Sequence, residues 1–85
     1  MFEGKLVREV IEEAINKLKP GDELPREPIP REWYPFFILQ GSYFDGQLNR
    51  DIMSKLYISE GTFNRTRRGA LRSVARILEE MEAAL

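Results

Sequence analysis

Four of the five prolines in this 85-residue chain fall within residues 20–30, PGDELPREPIP. Proline has no amide to donate, and its ring clashes with the carbonyl one turn back, so neither a helix nor a central strand can run through such a segment. Whatever forms before residue 20 must stop there, and structure must begin again after residue 30. The segment reads as a stiff connector between helical neighbours.

The residues before it repeat at helical spacing. Phe2, Leu6, Val7, Val10, Ile11, Ala14, Ile15 and Leu18 line one side, while Glu9, Glu12, Glu13 and Lys17 fall mostly on the other. This predicts an amphipathic helix over 1–19, ended by Pro20-Gly21. Beyond the connector (20–31), residues 33–44 hold six of the nine aromatics. Pro35 suits the first turn of a helix, where its missing amide costs nothing. Asp45-Gly46 ends that segment. A base-stacking platform would need basic charge beside the rings; this stretch carries little, and large side chains are what the core of a small helical domain requires.

LNRDIMSKL (48–56) then predicts a short helix with Ile52, Met53 and Leu56 inward. YIS makes a tight link, and a longer helix runs from Ser59 to about Met81 or beyond, with Phe63, Ala70, Leu71, Val74, Ile77, Leu78 and Met81 on its apolar side. No strand pattern occurs. The expectation is one all-α domain of about four helices, with the connector and N-terminal helix packed onto residues 32–85.

Composition excludes several kinds of chemistry. With no cysteine and no histidine, the chain has no disulfide, no thiolate metal site and no imidazole base. Glu12-Glu13 and Glu79-Glu80 are adjacent in sequence, so on a helix each pair points about 100° apart. No glycine-rich phosphate loop or metal-spaced cluster is present. Neither enzyme activity, metal nor cofactor is expected. The longest apolar run, WYPFFIL, is far short of the roughly 18 residues a membrane span needs. The charged start MFEGKLVREV lacks a signal-peptide core, so the chain reads as soluble and cytoplasmic.

Charge is unevenly placed. Residues 1–48 carry a net of −3, residues 49–76 a net of +5 and residues 77–85 a net of −3, within a total of −1. A basic face can exist despite that total. Ser59 is placed to cap the long helix, with Glu60 at the positive end of its dipole. At 100° per residue from Phe63, the positions opposite the core are Gly61, Arg65, Arg68, Arg72 and Arg76, with Asn64 on the shoulder. Arg67 projects towards the Phe63/Val74 side, and is expected to be half-buried or ion-paired, Asp51 being one candidate.

A short helix, a three-residue link and a longer basic helix make the pattern of a helix-turn-helix, whose second helix meets base edges in the major groove. Arg and Asn read guanine and adenine in two-pronged fashion. Ser59 and Thr62 supply hydroxyls of the kind that contact phosphate, and Gly61 leaves room for a close approach. YFDGQLNRDIMSKLYISEGTFNRTRRGAL resembles the helix-turn-helix of LuxR-type response-regulator domains and of sigma factor region 4, through Asp45-Gly46, Asp51-Ile52, Leu56 and Ile58-Ser59-Glu60-Gly61-Thr62. The likeness covers roughly residues 36–78. It extends more loosely, through Ala70-Leu71, to small bacterial regulators. It implies a tetrahelical DNA-binding domain with residues 59–72 as the recognition helix. Two positions depart from those families: Leu48 stands where Ser or Thr caps the first helix of the motif, so that start needs another cap, such as Asn49, and Met53 replaces a small residue.

The expected function is sequence-specific binding of double-stranded DNA through Ser59, Gly61, Thr62, Asn64, Arg65, Arg68, Arg72 and Arg76, in transcriptional regulation. The alternative is a protein-interaction module whose arginine face meets an acidic partner, which the net charge of −1 favours. A homodimer is also expected, through the stripe Leu6–Leu18 or the stripe Val74, Ile77, Leu78, Met81 and Leu85. The competing use of both stripes is to pack on each other.

Overall fold

A computed structural model describes residues 6–84. Among these residues four α-helices follow one another: α1 (Val7–Asn16), α2 (Tyr34–Tyr43), α3 (Asn49–Leu56) and α4 (Glu60–Ala83). A single 3₁₀ turn, Arg31–Trp33, leads into α2, and no strand occurs among the described residues. The domain is all-α.

α2 is the hub. It is apolar around its circumference, as YPFFILQGSY shows, and a helix of that kind belongs inside. Phe36, Ile38, Leu39 and Gly41 are buried, and α1, α3 and α4 all pack on it, while α1 also packs on α4. The core joins Ala14 and Ile15 of α1, Ile52 and Leu56 of α3, and Phe63, Ala70 and Val74 of α4 to the α2 side chains. Five of the six aromatics of residues 33–44 belong to or pack against the core, while Tyr43 is 51% exposed. Trp33 and Phe36 are buried and meet edge to face at 6.1 Å, and Phe36 meets Phe37 at 5.4 Å in the same manner, an arrangement that the ring quadrupoles favour.

The ring faces left at the edge of this core carry cations. Arg8 lies 5.5 Å from the Phe44 ring, Lys19 5.0 Å from Phe36, Lys55 4.8 Å from Phe37 and Arg67 5.8 Å from Tyr43. One cation comes from α1, one from the chain after it, one from α3 and one from α4.

α1 is shorter than the periodicity predicts. It stops at Asn16, and Lys17, Leu18 and Lys19 follow in tightened turns, with the Leu18 amide donating to the Ile15 carbonyl at 2.9 Å. Phe2 and Leu85 lie outside the described residues. The connector is anchored by Ile29, buried in the core, and the Trp33 amide donates to the Pro30 carbonyl. At the other end of α2, Gly46 takes a left-handed φ of 66° and the Gln47 amide donates back to the Gly41 carbonyl at 2.9 Å. This reversal sets α3 beside α2. Gly41 is where the two approach, since a Cβ there would lie 3.0 Å from Ile52 Cδ1.

α3 starts without a side-chain cap. Leu48 is the capping residue, its carbonyl accepting from the Asp51 and Ile52 amides, and Asn49 is already helical. Asn49 therefore does not serve as the cap. Met53 is accommodated half-buried against the core.

Candidate nucleic-acid interface

The turn between α3 and α4 is three residues, Tyr57, Ile58 and Ser59. Its geometry is that of a Schellman motif: the Tyr57 amide donates to the Ser54 carbonyl at 3.3 Å and the Ile58 amide to the Met53 carbonyl at 3.1 Å. Ile58 and Met53 are both half-buried against the core, which supplies the apolar contact that usually accompanies this motif. Tyr57 takes the left-handed position, φ 57° and ψ 45°, with its side chain 77% exposed. The Tyr34 hydroxyl donates to the Leu56 carbonyl at 3.3 Å and ties the end of α3 to the start of α2.

Ser59 caps α4 as its sequence position suggests. Its hydroxyl oxygen accepts from the Thr62 amide at 3.2 Å, and Glu60 stands in the first turn. Phe63, Ala70 and Val74 anchor the opposite face in the core. That anchoring sets the rotation of the helix and puts Asn64, Arg65, Arg68, Arg72 and Arg76 on the exposed side, along with Ser59 and Gly61. Thr62 is half-buried at the edge of the same face. All eight sequence candidates thus belong to one surface of α4, which is about 36 Å long at 1.5 Å per residue.

Details at three positions differ from expectation. Arg67 is half-buried, but its partner is Tyr43, whose hydroxyl oxygen it meets at 2.7 Å, rather than Asp51. Leu71, placed on the apolar side by the sequence, is 39% exposed. It stands at the rim of an apolar groove of about 320 Å³ lined also by Ile11 and Ile15 of α1, Tyr43 and Phe44, and Val74 and Leu78. Gly61 does not front open space: a Cβ there would meet Arg65 Nη1 at 3.3 Å. Two further residues border the same end of α4 and had no part in the sequence reading. Arg50 and Tyr57 line a shallow depression with Met53, Ser54, Ile58 and Glu60. The signal for Tyr57 was a helix end with no glycine to take the left-handed position.

The two stripes considered for dimerisation are largely spent in the core that α1 and α4 share with α2. Val10, Ala14 and Ile15 of α1 and Val74 of α4 are buried, and Ile77, Leu78 and Met81 are half-buried. Leu6 and Val7, at the start of α1, are 70% and 75% exposed. Among the described residues no group of His, Cys, Asp and Glu could hold a metal, and no helix is long and apolar enough to cross a membrane.

No family model, no curated protein and no solved structure matches this chain.

Proposed function

We propose that this domain binds double-stranded DNA sequence-specifically, with α3 and α4 as a helix-turn-helix, and that it regulates transcription in the cytoplasm. The observation that carries this reading is the exposed face of α4. Asn64, Arg65, Arg68, Arg72 and Arg76 stand together on it, beginning within two turns of a capped start. Asn64 and Arg65 belong to the part of a recognition helix that meets base edges, while Arg68, Arg72 and Arg76 run on towards the phosphates. The resemblance to LuxR-type and sigma region 4 motifs supports the same assignment.

Binding to a pool of random duplex DNA, with the retained fraction sequenced, tests this. The expected result is an enriched motif whose affinity falls as salt rises. Three arginines, Arg68, Arg72 and Arg76, neutralising one phosphate each give a log–log slope of about −2.7. An inverted repeat in the motif would mark a homodimer with half-sites one DNA turn apart, for which the exposed Leu6 and Val7 offer apolar surface. No retention even at low salt would refute DNA binding.

The second reading is an acidic protein partner for the arginine face. It is favoured by the net charge of −1 and by the acidic segments at both ends of the chain. Its mark is a loss of binding spread evenly over Arg65, Arg68, Arg72 and Arg76, with no special role for Asn64.

A further inference from the structure

Arg65 does not extend freely from α4. Its Nη2 donates to Thr62 Oγ1 at 3.3 Å, and the same oxygen accepts from the Ser59 hydroxyl at 3.1 Å. Ser59 is in turn held by the Thr62 amide. The other Arg65 amino group, Nη1, lies back over Gly61, 3.3 Å from where a Cβ would be. The guanidinium is therefore folded towards the start of the helix, with one nitrogen on the Thr62 hydroxyl and the other packed against the position that a Gly61 side chain would take.

We infer that Thr62 and Gly61 are positioning residues for Arg65, holding its guanidinium over the first turn of α4 before DNA arrives, so that one base pair is read by a preset fork. The inference rests on the DNA-binding reading. It gives both residues a role different from direct contact: Thr62 acts through its acceptor oxygen and Gly61 through its lack of a side chain. Arginine has many rotamers, and a side chain ordered in advance loses less entropy on binding. An unheld Arg65 is expected to bind its site about three- to ten-fold more weakly, the range for one immobilised rotamer-rich side chain.

Gly61→Ala separates this role from folding. Alanine is the better helix former, and the atom that a new Cβ would crowd is the far end of a flexible side chain. Stability should stay or rise while Arg65 gives way by a few tenths of an ångström, enough to stretch its 3.3 Å bond to Thr62 beyond hydrogen-bond range. Thr62→Val removes the acceptor at nearly constant volume, and Thr62→Ser keeps it.

The experiment has two arms. The first measures the ¹⁵N order of the Arg65 guanidinium in the free protein. It is expected to be high in wild type and Thr62→Ser, and low in Gly61→Ala and Thr62→Val. The second measures affinity for the motif selected from random duplex, in the wild-type and Arg65→Ala backgrounds. Gly61→Ala and Thr62→Val should each lose about three- to ten-fold and relax preference at one base pair. Neither should lose anything further once Arg65 is alanine. A mobile Arg65 in wild type overturns the inference, as does an undiminished Thr62→Val loss without Arg65, which would make Thr62 a direct contact. A wild-type protein that enriches no motif overturns the DNA reading, and this role with it. A motif that survives Gly61→Ala unchanged overturns this role alone.

Discussion

Replacing Gly41 by alanine should destabilise the domain even though alanine is the better helix former. In an exposed helix interior that exchange is worth about 1 kcal/mol in favour of alanine. At position 41, however, the new Cβ would lie 2.5 Å from Gln47 Oε1, 3.0 Å from Ile52 Cδ1 and 3.3 Å from Ile52 Cγ1. Gln47 is exposed and its amide can swing away, but Ile52 is 2% exposed and packed into the core. Relief therefore requires α3 to move off α2 or Ile52 to leave its rotamer, and overpacking of this kind costs about 1–3 kcal/mol. The net loss is about 1 kcal/mol, or a fall in Tm of about 4–8 °C for a domain of this size. Gly69→Ala is the control. A Cβ there meets nothing within 4 Å, so the same exchange within α4 should raise stability by about 1 kcal/mol. Urea and thermal unfolding followed by circular dichroism and by the single buried Trp33 would measure both. If Gly41→Ala proves as stable as Gly69→Ala, α2 and α3 do not approach at Gly41 as closely as described.

Tyr57→Gly should stabilise by about 1 kcal/mol, because a non-glycine residue in the left-handed region is strained and the side chain removed is exposed; a lowered urea midpoint would contradict this. Ser59→Ala should cost about 1 kcal/mol through the lost cap, read in the same unfolding assay. On a selected DNA site, Arg65→Ala should cost about 1–3 kcal/mol and relax one base position, whereas Arg72→Ala or Arg76→Ala should weaken all sequences evenly and reduce the salt slope by about 1. Equal losses from all three on every duplex would remove the base-reading claim.

The helices and the face that α4 turns outward were legible because both follow from a 3.6-residue period and from residues close in sequence. Ser59 could be placed as a cap because capping needs only the next three residues. What escaped depended on which element crosses which. Arg67 could be seen to lean inward, but its partner lies 24 residues away on α2, and nothing in a single helical wheel identifies Tyr43. Gly61 looked like open space because its neighbour there, Arg65, reaches back one turn by a side-chain torsion rather than by spacing. The start of α3 was misjudged for a related reason. The Gly46 reversal, tied back to Gly41, brings Leu48 to the capping position, so the nearest polar residue, Asn49, falls one place too late. Leu71 sits on the rim because α1 does not cover the whole apolar side of α4.

One continuous helix, Glu60–Ala83, carries both the arginine face and a wall of the core. This limits how that face can change. Single replacements at Asn64, Arg65 or Arg68 change the outward face and leave Phe63, Ala70 and Val74 where they are. An insertion or deletion of one residue between Arg65 and Ala70 would turn one half of the helix by about 100° against the other, and either the core or the arginines would face the wrong way. Substitution can diversify the outward face, but the length of that stretch is frozen.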